Sequence, residues 1–152
     1  MKLFMTTTNC GVIEPFYNIL HQETAAVFDL AKEKNVSLIV KSPLDSGWLS
    51  GKYNAESTFK DARKRWSKRD IQKRTKLLFR IREILKMEEN LSQTAISFCL
   101  AHDSVATVIP GNRTISQLES NAESSRSIIS KEHVELLKDF YLNEIKDLNL
   151  PY

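Results

Sequence analysis

The sequence predicts an α/β fold in which about three parallel strands alternate with flanking helices. Two β-branched runs, Ser37 to Val40 and Val105 to Ile109, are nearly all apolar and lack the polar alternation of a half-exposed sheet. Strands of that kind belong to a parallel sheet. Stripes at helical spacing separate them, and strands alternating with helices imply right-handed crossovers. Glycine usage agrees. Of the four glycines, Gly47, Gly51 and Gly111 fall just past the two apolar runs, where backbone must turn tightly or approach a ligand.

The elements follow in order. A first strand is predicted from about Cys10 to Glu14. Gln22 to Lys34 reads as a helix with Val27, Leu30 and Ala31 on one face and Asn35 as its stop. After the strand at Ser37, the next stripe is Ile71, Leu78, Ile81 and Leu85, and Ser67 with Asp70 forms its starting cap. Ser92 starts a short helix, Gln93 to Leu100, which leads into the strand at Val105. Thr114 to about Ser125 is helical, and Ser130 caps a last helix in which Val134, Leu137, Tyr141 and Leu148 align. Residues 1–152 read as one domain without repeat or linker.

Composition excludes several classes. With 41% hydrophobic and 27% charged residues, the chain can bury a core and has no signature of disorder. No apolar run approaches the roughly 20 residues of a membrane span. The start is too short in apolar residues for a signal peptide. Cys10 and Cys99 are far apart and match no metal spacing, and Cys99 reads as a buried free thiol. A reducing, cytoplasmic location is expected. Nine of the 17 residues from Lys60 to Lys76 are Lys or Arg. The segment reads as a solvated loop and helix face. A nucleic-acid surface with Trp66 stacking on a base is the less favoured alternative. A collar of cations near a phosphorylated cofactor is a third.

Two stretches carry the chemistry. Ser42-Pro43-Leu44-Asp45-Ser46-Gly47-Trp48-Leu49-Ser50-Gly51-Lys52-Tyr53 follows one strand, and Ile109-Pro110-Gly111-Asn112-Arg113-Thr114-Ile115-Ser116-Gln117-Leu118-Glu119-Ser120-Asn121 closes the other. Small residues and hydrogen-bonding side chains just past strand carboxyl ends form the phosphate-holding face of a β/α barrel. At these residues the chain resembles the C-terminal half of an aldo-keto reductase. Tyr17-Asn18-Ile19-Leu20 is similar to the family's stretch after strand six, and Thr94-Ala95-Ile96-Ser97-Phe98-Cys99-Leu100 to its helix before strand eight.

The resemblance implies a partial (β/α)8 TIM barrel, with strands equivalent to six, seven and eight and helices on one face only. It implies NADP(H) as cofactor and a small-molecule carbonyl substrate once an N-terminal half completes the barrel. Ser42, Pro43, Leu44 and Ser46 would face the pyrophosphate and ribose, and Lys52 would pair with phosphate. Gly111 and Arg113 would hold the 2′-phosphate, Arg113 through its planar fork. Gln117 and Asn121, one helical turn apart, would reach the adenine. Each has a local reading too: Pro43 and Gly47 shape a turn, Thr114 and Gln117 form a capping box, and Asn121 lies on the surface.

The chain departs from the family at two points. Lys41 stands where many reductases stack an aromatic on the nicotinamide, and Glu14 stands where a glutamine would meet the carboxamide. An ionised carboxylate can accept from the carboxamide NH2 but cannot donate to its carbonyl. The family's acid machinery is an Asp, Tyr, Lys and His set from strands two to four, which this chain does not span. Tyr17, Tyr53, Tyr141 and Tyr152 do not match that tyrosine's motif, and His21, His102 and His133 read as surface or cap residues. No catalytic residue is therefore assigned, and a truncated domain is expected to be inactive alone. The competing expectation is a non-enzymatic dinucleotide-binding or interaction module that self-associates through an open sheet edge.

Overall fold

The computed structural model describes residues 1–86 and 91–151, which leaves Tyr152 outside them. Its centre is a three-stranded parallel sheet in the order β1 (Val12–Ile13), β2 (Ser37–Lys41), β3 (Val105–Ile109). Val12 pairs with Ser37 and Ile13 with Leu38; across the sheet Leu38 pairs with Val105 and Lys41 with Ile109. The register slips between Leu38 and Ile39. β1 is shorter than the predicted Cys10 to Glu14, because only Val12 and Ile13 find regular ladder partners.

The strands bury one face. Leu38 and Val40 are wholly buried, whereas Ser37 and Lys41 are exposed and Ile39 is half-buried. On β3 only Val105 is buried; Ala106, Thr107 and Ile109 are exposed. The sheet is thus clothed on one side and open on the other, as expected for a piece of barrel wall. In a doubly wound sheet both faces of each strand would be covered.

The helices close the covered side. The predicted helix at Gln22 splits into a 3-10 segment, Glu23–Val27, and α2 (Phe28–Glu33), which stops at Asn35 with φ of 53°. A short helix, α1 (Lys2–Thr7), precedes β1 without a sequence signal. α3 (Lys68–Leu85) starts at a complete capping box between Ser67 and Asp70, as predicted. Ile71, Leu77, Leu78, Ile81 and Leu85 line its buried face, each contributing roughly 1.5–3 kcal/mol of burial. α4 (Leu91–Leu100) leads into β3. α5 (Ile115–Glu123) has Thr114 as its N-cap, and α6 (Lys131–Phe140) has Ser130. The last helix loosens into a π-turn at Tyr141–Ile145, so Leu148 falls beyond the predicted stripe and is exposed.

Three side chains differ from their sequence reading. His21 is buried rather than on the surface. The half-buried ring of His102 lies 3.0 Å from the Tyr17 hydroxyl, within a core of Phe28 and Phe98. Trp66 is only 4% exposed, packed on Trp48 and Phe59, so it cannot stack on a nucleic-acid base. No helix among the described residues is long and apolar enough to cross a membrane.

Candidate functional site

The loop leaving β2 is wound tightly into the core. Ser42, Asp45 and Ser46 have φ of 55°, 44° and 55°, and Gly47 follows at 96°. Left-handed backbone is costly for residues with a Cβ, so contacts must impose it. Trp48 and Leu49, wholly buried, anchor the following 3-10 turn. Asn18, buried after β1, donates from Nδ2 to the Ser42 carbonyl at 3.0 Å, while its Oδ1 accepts from the Leu20 and His21 amides.

Asp45 is wholly buried. Arg74 on α3, equally buried, donates from Nε to its carboxylate at 3.0 Å, and His21 Nε2 lies 3.5 Å from the other oxygen. Burial pushes the Asp45 carboxyl up, but the adjoining His21 ring and Arg74 guanidinium outweigh it and hold the group below the usual carboxylate range.

The loop leaving β3 is built differently. Residues 111–120 are all exposed, and local hydrogen bonds give them shape. Thr114 Oγ1 accepts from the Gln117 amide at 3.2 Å. Gln117 Oε1 accepts from the Arg113 amide at 2.8 Å. Asn121 Nδ2 donates to Asn112 Oδ1 at 2.7 Å. The local capping role foreseen for Gln117 is therefore real, and it leaves the amide NH2 out of that bond. The Arg113 side chain projects 74% exposed from the start of α5.

A third segment, residues 52–66, runs between the two loops. The Asp61 carboxylate accepts from Arg63 Nε at 2.9 and 3.1 Å and from the Arg63 amide at 3.0 Å, and it lies 3.7 Å from Arg113. Those bonds from Arg63, with the nearby charge of Arg113, hold the carboxyl of Asp61 well below its ordinary range. Arg63 also donates to the Tyr53 hydroxyl and lies over the rings of Tyr53 and Phe59. Part of the basic segment is thus a cation–aromatic layer rather than a uniform solvated face.

Together the segments enclose a cleft of about 870 Å³. Ser42, Pro43, Leu44, Ser46, Lys52, Gly111, Arg113, Gln117 and Asn121 all line it. Lys52 Nζ sits 4.9 Å from the centre of the Tyr53 ring. Asp61, Arg63 and Asn112 line the cleft as well; the sequence placed the first two in the basic segment and Asn112 in the second stretch, without naming any of them as a site residue. The i, i+2 spacing of Asp61 and Arg63 was the only signal for their pairing. Asn18 and Asp45 lie in stretches that the sequence marks, but no local signal gave them or Arg74 the role of holding the loop. At the carboxyl ends of the first two strands Lys41 and Glu14 meet each other at 3.5 Å. The two positions that depart from the family are therefore neighbours in space.

Known proteins resemble the chain in sequence and in fold. Over 126 residues the chain is 27% identical to an aldo-keto reductase of Strobilurus tenacellus, covering 79% of this chain and 38% of that protein. The structure superposes on the holo form of an aldo-keto reductase from Bacillus halodurans with a TM-score of 0.70 and 26% identity, covering 91% of this chain and 45% of that one. A glycerol dehydrogenase from Gluconobacter oxydans shares the fold at a TM-score of 0.78 with 18% identity, over the whole of this chain and 49% of its own. The chain thus spans 38% to 49% of the length of these relatives. Residues 7–142 match the Aldo/keto reductase family as a whole, and the chain belongs to that family.

Proposed function

We propose that the chain binds NADP(H) in the cleft between the two strand-end loops and forms the cofactor-binding half of a carbonyl–alcohol oxidoreductase. One observation carries the reading: nine residues nominated from two stretches far apart in sequence line a single cleft. The cleft fits such a group. Its volume lies within the roughly 300–1,000 Å³ of ligand pockets. Arg113 and Lys52 supply cationic donors, and the amino end of α5 adds a partial positive charge beside Arg113. The acidic Asp61 in the same cleft is already neutralised by Arg63.

When bound, the cofactor supplies the hydride. The chain's own residues bind and orient it. Arg113 meets the 2′-phosphate with a charge-assisted fork, and Lys52 meets the pyrophosphate as a point charge. Glu14, which lies outside the cleft's lining and pairs with Lys41 at 3.5 Å, would accept from the carboxamide NH2. The proton donor belongs to the portion of the barrel that this chain does not span, so the chain alone is inert. Isothermal titration calorimetry of the whole chain with NADPH and NADH tests the reading. Binding of NADPH in preference to NADH supports it; no heat with either sinks it. Aldehyde reduction by the purified chain would overturn the claim of inertness.

The second reading, an interaction module, draws on the exposed residues of β3 and on Val12, which is 54% exposed on β1. Light scattering separates the two: a clean monomer removes self-association through the sheet edge.

A further inference from the structure

The backbone from Ser42 to Ser46 is held in a conformation that its own residues resist. Each non-glycine residue at left-handed φ costs on the order of 1–2 kcal/mol, and Ser42, Asp45 and Ser46 all adopt it. A loop of that kind persists only where surrounding contacts over-determine it. The contacts are specific. Asn18 holds the Ser42 carbonyl at 3.0 Å. Arg74 holds the Asp45 carboxylate at 3.0 Å, with both side chains wholly buried.

Arg74 is itself fixed in place. Its guanidinium lies over the Trp66 ring, 4.6 Å from the centre, and donates to the Pro151 carbonyl at 2.5 Å. Buried ion pairs add little stability over apolar residues of the same size, and often less than nothing. Stability alone therefore gives no reason to bury this pair. Its place in the chain gives one: Asp45 sits between Leu44 and Ser46, which both line the cleft.

We propose that Arg74 and Asp45 are positioning residues that hold the 42–46 loop in its ligand-ready conformation, from a site that never touches the ligand. The proposal deepens the dinucleotide reading and rests on it. A lysine at position 74 would not serve, because only a planar fork reaches the Asp45 carboxylate and the Pro151 carbonyl together.

The test compares the whole chain with the double variant Arg74→Met/Asp45→Asn. That variant removes both buried charges, so it folds without an unpaired carboxylate. Asparagine also tolerates left-handed φ. Two ligands are titrated: NADPH, which carries the pyrophosphate, and 2′-AMP, which carries the 2′-phosphate and no pyrophosphate. If the ligand-ready population falls to about a tenth, the Kd for NADPH rises about tenfold. The Kd for 2′-AMP stays the same, because its partner Arg113 lies on the other loop. Amide hydrogen exchange speeds up across residues 42–49 and is unchanged in β2.

Rescue sharpens this. Asp45→Asn alone keeps an acceptor for Arg74 and retains most of the NADPH affinity. Unchanged NADPH affinity in the double variant overturns the proposal, as does an equal loss for both ligands, which would mark a general loosening. Should the parent chain bind no NADPH, the dinucleotide reading falls and the exchange data alone decide. Loop amides that then exchange alike in parent and double variant overturn the positioning role; faster exchange confined to the loop supports it.

Discussion

The two loops that face each other across the cleft are made by opposite means. The loop after β2 is part of the core: Asp45, Trp48 and Leu49 are inaccessible, and its shape is dictated by Asn18 and Arg74 from distant elements. The loop after β3 is all surface, and its shape comes from side chains within ten residues of one another. Scaffold-built loops are rigid and tied to the stability of the whole fold. Locally built loops can change without disturbing the core. In the dinucleotide reading, the part of the ligand common to both cofactors meets the rigid loop, and the part that differs meets the adaptable one.

Mutations that damage one loop and spare the other break or sharpen this contrast. The largest effect is expected from Arg74→Met alone, which strands the buried Asp45 carboxylate and costs about 3–5 kcal/mol of stability. Urea unfolding measures it, and a loss below about 1 kcal/mol would show that the loop is not held from the core. Asp45 also gives the fold an acid limb. Its carboxyl lies lower in the folded state than its ordinary value, so the stability it contributes is present above about pH 4 and is lost as pH falls through the folded value. Asp45→Asn flattens that limb in a pH series of unfolding curves.

On the other loop Arg113→Ala is expected to weaken NADPH by about 2 kcal/mol and leave NADH nearly unchanged. Stability stays within about 0.5 kcal/mol, because the side chain is mostly exposed. Calorimetric titration with both dinucleotides decides it, and equal losses would put the 2′-phosphate elsewhere. Lys52→Ala weakens both dinucleotides alike. The smallest effect is expected for Thr114→Ala, which removes the α5 cap at a cost of about 1 kcal/mol. It acts through the shape of the Arg113 segment; thermal melts should register it, while circular dichroism of the rest of the fold stays the same.

The same contrast explains what the sequence made legible. Ser37 to Val40 and Val105 to Ile109 stood out because unbroken β-branched runs have few alternatives. Ser67 with Asp70, Thr114 with Gln117 and Ser130 stood out because caps are local chemistry at fixed spacing. The whole β3 loop could be read in this way. The β2 loop could be read only in outline. Positive φ at Ser42, Asp45 and Ser46 has no glycine to announce it, and Asp45 and Arg74 meet across 29 positions. Trp66 looked available to solvent because its neighbours in sequence are charged, yet Arg65 and Arg74 lie over its ring and Trp48 and Phe59 flank it. His21 looked isolated because its partner Asp45 is remote in sequence. The family resemblance nominated the cleft's lining; it carried no information about what holds that lining in place.

The chain contains two tryptophans, and both lie under the rigid loop, with ring centres 5.9 Å apart. The protein's tryptophan emission therefore comes from one place. A shift in its wavelength or intensity reports the packing beneath residues 42–53 and says little about α1, β1 or the surface loop after β3. Spectra taken during unfolding will follow this cluster rather than the average molecule. Quenching by a reduced dinucleotide, whose absorption overlaps tryptophan emission, will measure how closely the nicotinamide end approaches that one spot.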